Sequence, residues 1–512
     1  MKVAGARSSG PPPERKDEEV SDGRRLRPAQ KVAARWLLTH PRGGLFLPMG
    51  FGKTFALIAV LAALGWPRTL IVAPKRVAME TWPAELEATA PGVMYRVITG
   101  ALSAARRLQA LADRAAVTIL SSSMLTWLVS PDTARAYKRL TGAPLPPFRA
   151  VVVDELSQYK SVSSRRTRAL GSLVNSRRAR PEWVWGLTGT PIADHEEGLF
   201  SQMKLLDGGE ALGTSVTRFR AEFLKPENPY APHSRLIIQS SQKERELHER
   251  VAPRVMVQGR EELKGLLPPV QHDDITVRPG ARFMREYASF AENMVTDVLG
   301  FEPRYDERGR RVGLVAKLGP DAIGAVTAAA LRNKLRQYTA GFLFREDGSV
   351  RWHDHSKIDR TVELVECLDG EPVLIFYGFV PERDELLRRI PGAVVLGERF
   401  DMEMWNRRRV PVLLAHPASA GHGLNMQRGA NHLLWQTVPE SNELFQQANA
   451  RLVRPGAEGT VWVHRLMVPG TVDEIVYEDK DRKSGAERRL FDHLEQMERV
   501  ALSDPVSEVA GP

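Results

Sequence analysis

Residues 44–57 read Gly-Leu-Phe-Leu-Pro-Met-Gly-Phe-Gly-Lys-Thr-Phe-Ala-Leu. An apolar run gives way at Met49 to Gly50-Phe51-Gly52, then to Lys53 and Thr54, then to a helix-forming apolar segment. Glycines let successive backbone N–H groups turn into one concavity that suits an anion. The start of a helix adds its positive dipole end. Lys53 can reach the outer phosphates of a nucleotide, and the Thr54 hydroxyl can ligate Mg²⁺. The strict phosphate-loop pattern wants glycine at 47, where this chain has Leu47. Taken alone, the stretch reads equally well as a glycine turn carrying a surface lysine.

Other reactive residues follow apolar runs elsewhere. Asp154-Glu155 comes after Ala150–Val153. An acid at the end of a buried strand is costly unless paired or metal-bound. Asp154 suits holding Mg²⁺ through water, and Glu155 suits orienting and deprotonating an attacking water. Without a phosphate loop upstream, the pair would read as an acidic helix start. Thr188-Gly189-Thr190-Pro191 closes another run and by itself is a β-turn. Ser419, Gly421 and Gly423 follow a further one. Gln447, Arg451 and Arg454 lie in Gln446–Gly456, and the arginines' spacing of three places both on one helical face. Two such guanidiniums form an anion clamp. Facing phosphates across a cleft, arginine fingers are worth roughly 10³–10⁵ in rate; isolated, the pair is a solvated basic helix.

These positions need strands that end at a common edge. The apolar runs are 45–47, 69–73, 117–121, 150–153 and 184–187, then 373–377, 393–396, 410–415, 432–435 and 461–466. Nearly continuous Val/Ile/Leu runs are how strands covered on both faces of a parallel sheet look. Alternation with helical patterns predicts two α/β sheets. In such sheets ligands bind beyond the carboxyl ends of the strands, where the candidates stand. Between the halves, 211–345 reads as mostly helical and charged, with 301–312 an exposed loop and a junction near 346–356.

At 512 residues more than one core is expected. The single Cys367 excludes a disulfide framework and a cysteine-rich zinc site. No apolar run approaches membrane-spanning length. Net charge is +10, which favours a polyanionic partner without specifying one. Arg165, Arg166, Arg168, Arg177, Arg178 and Arg180 read equally as a phosphate-tracking surface and as a solvated face. His353-Asp354-His355 reads as a surface turn, and Met402, Met404 and Trp405 as core-packing residues.

Taken together, the order of motifs resembles the superfamily-two helicase-like motors, in particular the Swi/Snf-type, chromatin-remodeller-like DNA translocases in their short bacterial or phage form. The resemblance spans 26–480 and rests on Leu26-Arg-Pro-Ala-Gln30, Met49–Thr54, Ala73-Pro-Lys75, Ser121–Ser123, Asp154-Glu155, Leu187–Pro191, Leu331–Gln337, Ser356-Lys357, Ala418–Asn425 and Gln447–Gly456. Departures are Leu47-Pro48 in place of an acidic pair, His422 in place of glycine, and Trp435-Gln436 in place of an acidic residue.

The resemblance implies two RecA-like lobes of a P-loop NTPase, with ATP and Mg²⁺ between them. It assigns lobe one to 26–210, a helical intervening region to 211–345 and lobe two to 346–480. A flexible tail at 1–25 precedes them, and a helix and tail at 481–512 follow. It implies nucleotide contacts from Gln30, Met49, Gly50, Phe51, Gly52, Lys53, Thr54 and Gly423, and Mg²⁺ held by Thr54 and Asp154. Catalysis would fall to Lys53, Asp154, Glu155, Gln447, Arg451 and Arg454, and coupling to Thr188, Gly189 and Thr190. Nucleic-acid contacts would come from Lys75, Ser121, Ser122, Ser419 and Asn425. The expected activity is a DNA-dependent ATPase, a monomeric motor moving along DNA, duplex rather than single-stranded, in the cytoplasm of a bacterial or phage-infected cell. A strand-separating helicase on DNA or RNA, and a nucleic-acid-binding assembly factor with ATP as a structural switch, stay open.

Overall fold

A computed structural model describes residues 25–143, 145–176, 180–192, 196–227, 236–257, 265–299, 301–305, 311–316, 324–345, 347–397, 400–420 and 424–503. The N-terminal tail, Arg177, Arg178 and Gly421–Gly423 lie outside these residues.

Both expected parallel sheets are present. The first holds β1 (Arg42–Phe46), β2 (Thr69–Ala73), β3 (Tyr95–Ile98), β4 (Val117–Ser121), β5 (Ala150–Asp154), β6 (Trp183–Thr188) and β7 (Val255–Met256). Their order is β3-β4-β2-β5-β6-β1-β7, and every pairing is parallel. Helices cover both faces and give two apolar clusters. One gathers Leu70, Val72, Val151 and Val153; the other gathers Ile71, Val152, Trp185 and Leu187. The alternation of neighbouring residues between the clusters is the period-two pattern of a sheet buried on both sides.

The second sheet holds β8 (Val270–Thr276), β9 (Val373–Phe376), β10 (Ala393–Val395), β11 (Val412–Ala415), β12 (His432–Trp435) and β13 (Val461–Met467), in the order β8-β13-β12-β9-β11-β10, again all parallel. The stretch 211–345 therefore does not stand apart from the sheets. It gives β7 to the first and β8 to the second. Strand β8 carries Gln271, His272, Asp273 and Asp274, a composition tolerated because it is an edge strand with solvent on one side. The expected loop at 301–312 is instead the start of an antiparallel hairpin, Phe301–Tyr305 paired with Arg311–Ala316. Near the expected junction, Val350–Trp352 pairs with Phe342–Phe344.

Smaller expectations divide. Trp405 is fully buried, but Met404 is 40% exposed. His353 is more than a surface turn residue: its ring lies 4.2 Å from that of Tyr338, and Asp354 accepts from the Ser356 backbone N–H at 2.8 Å.

Four helices bear on the site. Helices α1 (Pro28–Thr39) and α2 (Lys53–Ala63) flank β1, and α3 (Asn442–Asn449) follows β12. The long α4 (Val472–Ser503) begins among the second sheet's core residues with Val472, Val476 and Tyr477. Further along, its Leu490, Phe491 and Leu494 join the first sheet's core.

Candidate active site in the cleft between the sheets

The turn after β1 is shaped by two glycines. Gly50 and Gly52 have φ of +80° and +81°, a region that L side chains enter only at a cost. Gly52 is also the residue before α2 and sits so close to Gln30 that an added Cβ would lie 2.4 Å from Gln30 Nε2. The Gln30 carboxamide is engaged at both ends. Its oxygen accepts from the Arg27 backbone N–H at 2.9 Å, and its nitrogen donates to the Phe51 carbonyl at 2.9 Å. The Arg27 guanidinium donates to the same carbonyl. Gln30, which the resemblance makes a nucleotide contact, braces the glycine loop.

Lys53 donates to the carbonyls of Leu47 and Pro48 at 2.8 and 3.2 Å. Burial pulls its ammonium below the ordinary lysine range, while Glu155 and Asp154 pull it back up. Asp154 closes β5 with both oxygens already oriented. Oδ2 accepts from Trp82 Nε1 at 2.9 Å, and Oδ1 accepts from the Glu155 N–H at 3.1 Å. Burial raises its pKa.

Glu155 does not begin an α-helix. It takes φ +56°, a left-handed conformation rare for a residue with a Cβ, before the one-turn helix Leu156–Tyr159. Such strain persists only where the surroundings enforce it. Burial, then the neighbouring Asp154 charge, pushes its carboxyl up to about 8. That value suits exchanging a proton near neutrality.

The coupling turn touches the loop. The Leu47 N–H donates to the Thr188 carbonyl at 3.1 Å, and a Cβ on Gly189 would lie 3.1 Å from Met49 Cγ.

The second sheet supplies the opposite wall. Helix α3 stops at Asn449, so Arg451 and Arg454 occupy the turns beyond it rather than one helical face. Pro455 and Gly456, the latter at φ +87°, follow at once and cannot continue a helix. The guanidiniums still meet, because both donate to the Leu424 carbonyl, at 3.0 and 3.2 Å. Burial, then the neighbouring Arg454, lowers Arg451 to about 10, and burial lowers Arg454. A Cβ added to Gly50 would lie 2.8 Å from Pro455 Cδ and 3.6 Å from Arg454 Cβ. The arginine turn is thus packed on the glycine loop, and the cleft is closed.

Three polar atoms from three separate motifs are buried with no hydrogen-bond partner among the described residues: Glu155 Oε2, Thr190 Oγ1 and Gln447 Oε1. Orphaned buried polar atoms are costly and scarce in folded proteins. Of these, Glu155 lies close enough to Asp154, Lys53 and Arg451 to feel their charges, and its free acceptor oxygen fits a water that donates to it. Among the described residues no three His, Cys, Asp or Glu side chains are grouped to hold a metal ion by themselves. For the Mg²⁺ that the resemblance implies at Thr54 and Asp154, Asp154 brings a carboxylate whose two oxygens are already held in place, and this cation usually takes few protein ligands with the rest from phosphate and water.

The expected nucleic-acid contacts fare unevenly. Lys75 and Ser419 are exposed shortly past strand ends, and Asn425 is exposed further along, beyond the short helix Pro417–Ala420. Ser121 and Ser122 are buried, with Ser121 Oγ paired to Ser123 Oγ at 3.0 Å, so Ser123 is the exposed hydroxyl of that turn. Arg165, Arg166 and Arg168 lie exposed on helix Arg165–Val174. Trp82, Pro455 and Glu443 escaped sequence reasoning. Their partners are 72, hundreds and 286 residues away, and no local pattern announces them.

Residues 29–300, more than half of the chain, match the SNF2-related domain. The chain belongs to the SNF2-related family. This SNF2-related chain is 29% identical to protein p41 of Acyrthosiphon pisum secondary endosymbiont phage 1, over 92% of its own length and 98% of that protein. It is 24% identical to the DNA annealing helicase and endonuclease ZRANB3 of Mus musculus, over 85% of its length but 38% of that protein. Among solved structures, the Sulfolobus solfataricus SWI2/SNF2 ATPase core in complex with dsDNA aligns over 93% of this chain and 96% of that one, with 20% identity and a TM-score of 0.41. Among the described residues no helix is long and apolar enough to cross a membrane.

Proposed function

We propose that this SNF2-related chain is a motor that hydrolyses ATP in the cleft between its two sheets and uses the cycle to move along DNA, duplex in preference to single strands. The observation that carries the reading is the seating of Arg454 and Pro455 against Gly50, which brings the arginine turn onto the loop that would hold the phosphates. The DNA part of the reading leans on family membership and on the ZRANB3 name.

In this reading Gly50 and Gly52 open the loop so that its N–H groups and the start of α2 receive the phosphates. Lys53 exchanges its two carbonyl partners for phosphate oxygens. Thr54 and Asp154 would hold Mg²⁺, which when bound neutralises phosphate charge. Glu155 accepts a proton from the attacking water at Oε2. Arg451 and Arg454 stabilise charge that develops during transfer, and they do so only with the cleft closed. Closure and reopening then follow from the difference in ligand affinity between the two states. Thr188, Gly189 and Thr190 report loop occupancy to the rest of the first sheet. Lys75, Ser123, Ser419 and Asn425 form the DNA-facing edge.

The test is ATP turnover measured side by side with duplex DNA, single-stranded DNA and RNA. Duplex is expected to stimulate most, and Lys53→Ala to abolish turnover. No stimulation by any DNA would defeat the proposal.

A further inference from the structure

Glu443 lies in the first turn of α3, where a carboxylate favours the helix dipole, on the same helix as Gln447 and just upstream of Arg451. It reaches across the cleft. Its Oε1 accepts from Ser157 Oγ at 2.9 Å and from Gln447 Nε2 at 3.3 Å, and its Oε2 lies 3.4 Å from Lys160 Nζ. Ser157 is 1% exposed and Glu443 8% exposed. Exposed ion pairs contribute little, but a charge-assisted bond shielded from water is stronger. Ser157 stands two residues beyond Glu155, in the one-turn helix Leu156–Tyr159. That turn is itself tied down, since Ser201 Oγ donates to the Tyr159 carbonyl at 2.5 Å. A firm piece of the first lobe is therefore bonded to the helix that leads into the arginine turn. The same carboxylate holds the Gln447 amide nitrogen, while Gln447 Oε1 keeps no partner among the described residues.

We propose that Glu443 is a latch and a positioning residue: by taking the Ser157 hydroxyl and the Lys160 ammonium on closure, it fixes the register of α3, and with it Gln447 and Arg451, against the Asp154–Glu155 strand end. This rests on the hydrolytic reading above and adds to it a contact made only in the closed state. Opening breaks both bonds and returns two buried polar groups to water, so the latch contributes to the difference between the states on which the cycle depends.

Two readouts test it. Zero-length carbodiimide coupling of the full wild-type chain, analysed by peptide mass spectrometry, is expected to join Lys160 to Glu443. In steady-state kinetics, Glu443→Ala is expected to lower kcat about tenfold while KM for ATP moves less than about twofold, the pattern of a lost transition-state arrangement. Glu443→Gln, which keeps the acceptor for Ser157, should stay within about threefold of wild type. The swap Glu443→Lys with Lys160→Glu should exceed Glu443→Lys alone by about threefold or more. Unchanged kcat in Glu443→Ala, a loss confined to KM, or Glu443→Gln as poor as Glu443→Ala overturns the positioning role. Turnover without the Lys160–Glu443 cross-link overturns the latch alone. A cross-link with no turnover on any nucleic acid refutes the hydrolytic reading and the positioning role together.

Discussion

Replacing Gly50 by alanine asks whether the seating of the arginine turn on the glycine loop governs turnover. Two costs can be separated. The first is local: at φ +80° a side chain costs about 1–2 kcal/mol, and where the free loop relaxes out of that conformation the same cost reappears as about tenfold weaker nucleotide binding. The second crosses the cleft. The new methyl would stand 2.8 Å from Pro455 Cδ, whereas carbon atoms settle at about 3.5–4.0 Å. The arginine turn must retreat by about 1 Å, and a displacement of that size costs about 100-fold in rate. Gly50→Ala is therefore expected to lower kcat about 100-fold and affinity about tenfold. Adding Pro455→Ala removes the ring carbon in the way. The double variant should regain most of kcat while the weaker binding persists. Steady-state ATP turnover together with titration of a fluorescent nucleotide measures both quantities. The reasoning fails if Gly50→Ala keeps its kcat, or if Pro455→Ala restores nothing.

Further outcomes follow from the same geometry. Arg454→Ala should lower turnover by about 10³ and leave nucleotide affinity nearly unchanged; an equal loss in both would remove it from the reacting centre. Trp82→Phe deletes the 2.9 Å donor that orients Asp154, so the Mg²⁺ concentration for half-maximal turnover should rise about tenfold with kcat at saturation preserved. His248 is 2% exposed and shares a hydrogen bond with His493 Nδ1 at 3.2 Å. Burial lowers its pKa to about 4, against about 6.5 in an unfolded chain. Between these values the unfolded state binds the extra proton, so stability rises with pH there and is lost as pH falls from about 6.5 toward 4. Thermal melts across that window should show the loss, and His248→Phe should flatten it.

The frame of the fold was legible because sheets buried on both faces leave unbroken apolar runs. Each of the runs read from the sequence overlaps a strand, several running one or two residues past its ends. The strands that were missed in the two sheets are the very short Val255–Met256 and those with an exposed face. In β3, Arg96 is exposed and only Ile98 is fully buried, while β8 is a polar edge. The catalytic candidates were legible because they sit where strands stop. The helical spacing of Arg451 and Arg454 misled, since the helix ends at Asn449, before either arginine. Contacts that orient the site stayed hidden. Trp82 looks like any core tryptophan until Asp154 is set beside its indole N–H, and Glu443 looks like a favourable first-turn acid until Ser157 arrives from the other lobe.

Helix α4 is rooted in one hydrophobic core and passes into the other, with Val476 and Tyr477 in the second sheet's core and Leu490 and Phe491 in the first's. It acts as a dowel through both halves of the molecule. Relative motion must then be a pivot about that pin, because a straight separation would draw apolar plugs out into water. A fragment cut at 480, a natural-looking border in the sequence, would leave the first half with a hole in its interior although none of its own sheet had been touched.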